Sequence, residues 1–210
     1  MIKAIIFDLD GVLIHTDHLH YLAWKKMAEQ EGIYFDQTIN NRLRGVSRME
    51  SLEIILEQSI RKYSKEEKHR LAEQKNEYYR QSLVKLSPSD LDGDVITFLN
   101  QLKAKNIKIA IGSSSKNAKL ILKQIGILDM FDAISDGTNI ANSKPDPEVF
   151  LKASDMLGVP SQFCAVVEDA KAGIDAANHG GFFSIGMGDA YDYSETKMRI
   201  KKLEDILKIV

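Results

Sequence analysis

Cysteine is almost absent from this sequence, since Cys164 is the only one among 210 residues. A single thiol cannot close an intrachain disulfide, which excludes a secreted disulfide scaffold and favours a reducing compartment, so we expect the cytoplasm. Cys164 lies inside the apolar run 163–167. We therefore interpret it as buried packing and not as a nucleophile.

An excess of charge of one sign and long hydrophobic runs are also missing. The formal net charge is -2, without the basic excess that a nucleic-acid-binding domain needs. The N-terminal apolar run Ala4–Phe7 is interrupted by Asp8, too early for a signal peptide, and no apolar run reaches the length of a membrane span. We expect neither nucleic acid nor a membrane as a partner, so an anionic ligand must be held by local charge.

The sequence does contain several short apolar segments rich in Ile and Val, followed by loops and by longer stretches of helical period. This alternation is typical of a parallel sheet covered by helices. The predicted fold class is therefore α/β, with a doubly wound, Rossmann-like parallel sheet as the core. The predicted strands are residues 3–7, 107–111, 132–134, 164–167 and 182–185.

The gap between the first two strands is about a hundred residues, far more than one crossover helix requires. Residues 18–84 are helical in pattern and charged, without a convincing strand. We predict a small inserted α-helical cap domain at residues 16–87, and a catalytic core domain made of residues 1–15 and 88–210. Two linkers between the two domains favour a hinge.

Carboxylates follow the first and fourth predicted strands directly. Asp8 and Asp10 come after the first strand, and Glu168 and Asp169 come after the fourth. In open α/β folds, ligands bind at this carboxyl edge of the sheet. Each pair also has an ordinary interpretation, because Asp10-Gly11 is common in turns and an acidic pair favours the N-terminus of a helix.

Two further segments supply groups that suit a phosphate. Residues 113–117, Ser-Ser-Ser-Lys-Asn, follow the second strand and offer hydroxyls and backbone donors, although a serine-rich helix cap is equally natural there. Lys144 precedes Pro145, whose ring restricts the backbone and can aim the ammonium. Together with the carboxylates, these groups predict one site for a metal ion and a phosphate.

In these motifs the sequence resembles the haloacid dehalogenase superfamily of phosphotransferases. The matching residues are Asp8-Leu9-Asp10-Gly11-Val12, Ser113, Lys144-Pro145 and Glu168-Asp169. The resemblance implies that Asp8 is the nucleophile that becomes an aspartyl phosphate, that Asp10 gives and takes the proton, and that Ser113 and Lys144 bind the phosphoryl group. It also implies Mg²⁺ as cofactor, held by Asp8, the backbone carbonyl of Asp10 and Asp169, with Glu168 close by or as a further ligand.

The inserted segment carries residues that would decide the substrate. Thr16, His20 and Trp24 are spaced by four and so share one helix face. Trp24 alone would suit core packing, and a lone histidine is more often a surface residue. The other candidates are the loop Arg44-Gly45-Val46-Ser47-Arg48 and the pair Lys75-Asn76. Together they resemble the sugar-phosphate mutases of the superfamily.

That resemblance implies catalytic roles for Thr16 and His20. The remaining cap residues would bind substrate, together with Ser114, Ser115, Lys116 and Asn117. The implied reaction interconverts β-glucose 1-phosphate and glucose 6-phosphate through β-glucose 1,6-bisphosphate. A small-molecule sugar phosphate is thus the expected partner, and a monomer the expected state. Two alternatives remain open, a sugar-phosphate or phosphoglycolate-type phosphatase and a catalytically silent binding module.

The C-terminal region departs from the superfamily pattern. Residues 189–196 are polar and lack the apolar strand that usually follows, which predicts a shortened sheet edge. The basic stretch 197–202 is interpreted as the solvated face of a helix.

Overall fold

A computed structural model describes residues 1–43, 46–91 and 94–210. Arg44 and Gly45, which were predicted to bind substrate, lie outside the described residues. The chain separates into two compact units, one formed by Met1–His15 with Leu86–Val210 and the other by Thr16–Lys85. The predicted boundary of the second core segment was residue 88.

The described residues form parallel strands, α-helices and short 3-10 helices. The strands are β1 (Ala4–Phe7), β2 (Lys108–Gly112), β3 (Ala133–Ser135), β4 (Cys164–Glu168), β5 (Phe183–Gly186) and β6 (Met198–Arg199). The α-helices are α1 (Asp17–Gln30), α2 (Gln37–Asn41), α3 (Arg48–Leu56), α4 (Lys65–Leu83), α5 (Val95–Ala104), α6 (Ala118–Gln124), α7 (Glu148–Leu157) and α8 (Lys171–His179). The 3-10 helices are Pro88–Asp90, Leu128–Met130, Ser161–Phe163, Gly188–Ala190 and Leu203–Lys208.

The first unit is built on one parallel sheet with the strand order β3-β2-β1-β4-β5-β6. This is the doubly wound arrangement, in which the strand order reverses beside β1. The predicted fold class is confirmed, and the five predicted strands form to within one residue at each end. Strand β1 pairs in parallel with β2 on one side and with β4 on the other. The residues that directly follow these three strands therefore lie at the same edge of the sheet.

The sheet is apolar on both faces because helices cover it. Strands β1 and β4 are buried along their whole length, and such strands are near-continuous apolar runs instead of alternating ones. Helices α5, α7 and α8 pack against the strands. In one apolar cluster of this core, Phe150 of α7 meets Phe182 edge to face, with 6.1 Å between ring centroids.

The interpretation of residues 197–202 as a helix face is wrong, because this stretch forms the edge of the sheet. Met198 of β6 pairs in parallel with Ile185 of β5, and the Ile200 backbone N–H donates to Gly186. Lys197 is also used internally, since its ammonium donates to the Phe182 carbonyl at 2.6 Å. Backbone pairing with β5 therefore overrides the basic composition, and the shortened edge takes the form of a two-residue strand.

The second unit is helical. Helix α1 packs along α4, and α3 packs against α4, around an apolar cluster that includes Trp24, Met27 and Leu71. Both α3 and α4 begin with a capping box, from Ser47 to Glu50 and from Ser64 to Glu67. Among the described residues of the chain, no helix is both long and apolar enough to cross a membrane.

The capping box of α4 should contribute measurably to the stability of the helical unit. The Ser64 hydroxyl accepts the Glu67 backbone N–H at 3.2 Å, so Ser64→Ala should lower the free energy of unfolding by about 1 kcal/mol. Ser82 lies on the same helix but donates back to the Tyr78 carbonyl, a bond that adds little to helix stability. Ser82→Ala is therefore the control, and urea denaturation of both variants should show a loss only for Ser64→Ala.

Candidate active site

The site is organised around a buried ion pair at the end of β1. Asp8 follows β1 directly, and its backbone N–H donates to the Val167 carbonyl of β4 at 2.9 Å. The Lys144 ammonium lies 2.5 Å from the Asp8 carboxylate and 2.5 Å from the Glu168 carboxylate. The side chains are 9%, 10% and 2% exposed for Lys144, Asp8 and Glu168. One ammonium thus bridges two carboxylates with little water nearby.

Burial and charge act in opposite directions on these groups. Burial raises the pKa of Asp8 to about 7, the ammonium of Lys144 opposes this, and the carboxylates of Glu168 and Asp10 add to it. Burial alone would lower the pKa of Lys144, but the two carboxylates outweigh it and raise the pKa above the usual value. Lys144 therefore stays charged, while Asp8 needs further positive charge to be fully ionised at neutral pH.

Helix α7 and the loop that precedes it position Lys144. Its ammonium lies 4.7 Å from the ring centroid of Phe150, and the Lys144–Pro145 peptide is cis. The Glu148 carboxylate accepts the backbone N–H groups of Ala141 and Asn142, which fixes the chain just before Lys144. The Lys152 hydrogen bond and these backbone N–H groups lower the pKa of Glu148 to about 2.

Two glycines allow the acidic residues to reach their positions. Gly173 of α8 lies against Glu168, so closely that a Cβ atom there would come within 1.9 Å of the Glu168 carboxyl carbon. Gly11 has a φ of 90° and lies against Asp169, with 2.1 Å between its hypothetical Cβ and the carboxylate. A side chain at either position would displace a carboxylate. Gly11 belongs to the motif that follows β1, whereas Gly173 was not singled out in the sequence, and the steric role of both depends on contacts between separate elements.

The oxygen atoms at this edge suit a hard divalent cation. Across residues 1–43, 46–91 and 94–210, no three His, Cys, Asp or Glu side chains are grouped so as to hold a metal ion. The predicted ligand set does not require such a group, because it combines the carboxylates of Asp8 and Asp169 with the backbone carbonyl of Asp10. All of these donors are oxygens. Asp8, Glu168 and the nearby Asp10 also outnumber the single ammonium of Lys144, so the residues fit a cation.

In the loop after β2, side-chain hydroxyls accept hydrogen bonds from backbone N–H groups of the same loop. The Ser113 hydroxyl accepts the Ser115 backbone N–H, and the Ser115 hydroxyl accepts the Asn117 backbone N–H, each at 3.2 Å. Asn117 is the N-cap of α6, but its side chain makes no capping hydrogen bond, so the serine hydroxyls shape the loop and phosphate binding there stays a prediction. The Ser114 hydroxyl is buried with no hydrogen-bond partner, whereas Lys116 is exposed.

In the helical unit, the structure brings several predicted residues of α1 and α4 together. The Lys75 ammonium lies 2.7 Å from Nδ1 of His20 and 4.8 Å from the ring centroid of Trp24. Burial is the main reason that the pKa of His20 lies well below its usual value, with Lys75 and Arg48 adding to the effect. His20 is thus part of a packed polar cluster and not a free surface histidine.

Arg48 joins this cluster from α3. Its guanidinium donates to the Asn76 side-chain oxygen at 2.9 Å and to the Glu73 carboxylate at 2.9 Å. The neighbouring candidates are placed differently, since Ser47 uses its hydroxyl and its backbone N–H in the capping box of α3, and Val46 is exposed.

Tyr79 belongs to the same cluster and was missed in the sequence. Its hydroxyl lies 3.0 Å from that of Thr16, and its ring stacks on the His20 imidazole with 3.9 Å between centroids. The sequence did carry a signal, because Tyr79 follows Lys75 by one helical turn and so shares its face.

Comparisons with known proteins agree with this fold. The family model of the haloacid dehalogenase-like hydrolases matches residues 2–181, and the chain belongs to that family. It is 45% identical over 206 residues to a β-phosphoglucomutase of Bacillus subtilis (strain 168), covering 97% of this chain and 91% of that protein. A crystal structure of β-phosphoglucomutase from Clostridium difficile is similar with a TM-score of 0.90 and 43% identity, covering 98% of this chain and 93% of that one.

A phosphatase is also among the relatives. The chain is 33% identical over 182 residues to a phosphorylated carbohydrates phosphatase of Thermotoga maritima, with coverage of 85% of this chain and 82% of that protein.

The contact between Gly173 and Glu168 predicts that Gly173→Ala destabilises the protein, although Gly→Ala substitutions in helices usually stabilise. Gly→Ala inside a helix normally stabilises a protein by about 1 kcal/mol, but at residue 173 the added methyl overlaps Glu168. We expect Gly173→Ala to lower the free energy of unfolding by about 1–3 kcal/mol.

A double-mutant cycle tests the cause of this loss. In a Glu168→Ala background the space is free, so Gly173→Ala should become neutral or stabilising in urea denaturation. Equal losses in both backgrounds would show that the overlap with Glu168 is not the reason.

Proposed function

We propose that this protein is a phosphoryl-transfer isomerase that interconverts β-D-glucose 1-phosphate and glucose 6-phosphate. The reaction passes through an aspartyl-phosphate enzyme and β-glucose 1,6-bisphosphate. One observation carries the proposal, namely the desolvated Asp8 carboxylate paired with Lys144 at the end of the central strand, in a chain 45% identical to a β-phosphoglucomutase.

In the first half of the reaction, the 6-hydroxyl of β-glucose 1-phosphate attacks the phosphorus of the aspartyl phosphate, the bond from phosphorus to Asp8 breaks, and Asp10 takes the hydroxyl proton, which gives β-glucose 1,6-bisphosphate. In the second half, an oxygen of Asp8 attacks the phosphorus of the 1-phosphate, and the bond from phosphorus to the sugar oxygen breaks. Asp10 gives its proton to that leaving oxygen, which releases glucose 6-phosphate and restores the aspartyl phosphate. Lys144 and Ser113 bind the oxygens of the transferring group, which is the main requirement of phosphoryl transfer.

The proposed cofactor is Mg²⁺, held by Asp8, the backbone carbonyl of Asp10 and Asp169, with Glu168 nearby. Its chemistry would be the neutralisation of negative charge on the phosphoryl oxygens. Burial raises the pKa of Asp8 to about 7, which supports the need for a cation beside this carboxylate.

A bisphosphate has two phosphates, and each unit of the chain has basic residues that suit one of them. In the first unit, Lys144 would bind the transferring group. In the helical unit, Arg48 is the residue proposed for the second phosphate, and the other basic residues expected to serve it, Arg44, Lys75 and Lys116, stay predictions. The remaining substrate-binding and catalytic assignments, as well as the cytoplasm and the monomeric state, stay predictions.

The second candidate is a sugar-phosphate phosphatase, in which water takes the phosphoryl group from Asp8. The relative from Thermotoga maritima favours it. A silent binding module is disfavoured, because such a protein has no need for the charged cluster at Asp8.

Two assays on one preparation separate the candidates. The first couples glucose 6-phosphate formation to a dehydrogenase, with β-glucose 1-phosphate, a trace of bisphosphate and Mg²⁺, and the second measures phosphate release. A mutase gives rapid isomerisation with little free phosphate. Dominant phosphate release would replace the proposal with the phosphatase.

Asp8→Asn should abolish turnover while the fold remains, because the amide keeps the shape but lacks the nucleophilic oxygen. The loss should be several orders of magnitude, about 10⁴-fold or more. Labelled acetyl phosphate should mark the unaltered protein and not this variant. Asp10→Asn is the control, since acetate leaves without a proton and labelling should persist. Label on any residue other than Asp8 would contradict the assignment.

Arg48→Ala should lower sugar interconversion by about tenfold to a hundredfold. The reason is the loss of a hydrogen bond to a charged phosphate, worth roughly 1.5–3 kcal/mol. Labelling of Asp8 by acetyl phosphate should stay near the unaltered rate, because this donor has no second phosphate.

Arg42→Ala is the matched control for the loss of an arginine. Arg42 also lies in the helical unit, but it is paired with Glu57 through two hydrogen bonds at 2.8 and 2.9 Å on an exposed surface. Its replacement should change interconversion by less than about twofold. Equal effects of the two substitutions would remove Arg48 from substrate binding.

A further inference from the structure

Lys75 is an unusual lysine, because its side chain is buried within the helical unit. The residue is 3% exposed, and lysine is almost never buried to this degree without a compensating partner. Its ammonium lies 4.8 Å from the ring centroid of Trp24 and 4.8 Å from that of Tyr79. Ring faces attract cations and not neutral amines, and this attraction is strongest where water is excluded.

The contact between Lys75 and His20 determines where the imidazole proton lies. An ammonium has three donors and no acceptor, so at 2.7 Å Lys75 donates and Nδ1 of His20 accepts. A neutral imidazole with an accepting Nδ1 carries its proton on Nε2. Burial and the charges of Lys75 and Arg48 lower the pKa of His20, which keeps the ring neutral.

Tyr79 connects the parts of this cluster. Its ring stacks on the His20 imidazole at an interplanar angle of 25° and also faces the Lys75 ammonium. Its hydroxyl lies 3.0 Å from that of Thr16, which precedes His20 by one helical turn. This contact anchors the Tyr79 ring. A single side chain thus fixes the plane of His20 and one wall around Lys75.

We propose that Trp24 and Tyr79 form an aromatic cage for the Lys75 ammonium and act as positioning residues that hold His20 in the Nε2–H tautomer. The cage and the tautomer do not depend on the proposed function. Their consequence does rest on it, since His20 would then present Nε2–H as a hydrogen-bond donor to an oxygen of the sugar phosphate, and could not act as a base through Nδ1.

Nuclear magnetic resonance tests both parts without substrate. Ring currents from two stacked faces should shift the ε-methylene protons of Lys75 upfield. Long-range nitrogen–proton correlation should show Nε2–H on His20 at neutral pH, with the resonance assigned by its absence in His20→Gln. Tyr79→Leu and Trp24→Leu should each reduce the upfield shift, whereas Tyr79→Phe keeps the ring and should preserve both signatures.

Tyr78→Leu is the matched control. Tyr78 is the preceding residue of α4, and its ring faces Lys26 at 4.0 Å instead of Lys75, so its loss should leave the Lys75 and His20 signals in place. Lys75→Met removes the donor to Nδ1, so the fraction of the Nδ1–H tautomer of His20 should rise above that in the unaltered protein. A predominant Nδ1–H or doubly protonated His20 in the unaltered protein, or an equal Nδ1–H fraction in both proteins, would overturn the proposal.

Kinetics supply the functional readout. Tyr79→Leu should lower kcat/KM for sugar interconversion by about tenfold, and Tyr79→Phe should restore most of the loss. Equal activity of Tyr79→Phe and Tyr79→Leu would refute the positioning role of the ring. If the unaltered protein proved to be a phosphatase, the resonance signatures would still decide the cage, so failure of the two proposals can be told apart.

Discussion

The buried ion pair between Lys144 and the carboxylates of Asp8 and Glu168 is the interaction on which the rest of the site depends. Two carboxylates and one ammonium lie in a region with little water, where unpaired charge is costly and breaking one partner leaves the others uncompensated. The parallel pairing of β1 with β4 brings Asp8 and Glu168 to the same edge of the sheet. The net negative charge that remains makes this edge receptive to a cation and, with the cation, to a phosphate.

The acidic residues can approach each other because the neighbouring backbone has no side chains at two positions. The absence of a side chain at Gly11 leaves space for Asp169, and the absence of one at Gly173 leaves space for Glu168. The position of the Glu168 carboxylate is therefore set by packing against Gly173 on one side and by Lys144 on the other. Such double constraint is how a site keeps its geometry without relying on loop stiffness.

The chain buries two lysines by different means. Lys144 is compensated by the carboxylates of Asp8 and Glu168, which raise its pKa. Lys75 instead lies between two aromatic faces and donates to the neutral ring of His20. The first arrangement fixes a charge beside a nucleophile, and the second arrangement fixes the proton of an imidazole. Charge pairing thus accompanies the burial of Lys144, and contacts with aromatic rings accompany that of Lys75.

The sequence by itself determined the α/β class, the five principal strands and the order of the charged motifs, because apolar run length and helical period are local properties. Tertiary structure alone decided β6, since a basic stretch became a strand only through hydrogen bonds to β5. It also decided that Gly173 must lack a side chain and that Tyr79 belongs with Thr16 and His20. Tyr79 and Thr16 are 63 residues apart in sequence, and Gly173 and Glu168 belong to different elements, so these contacts depend on strand order and helix packing, which local composition does not contain.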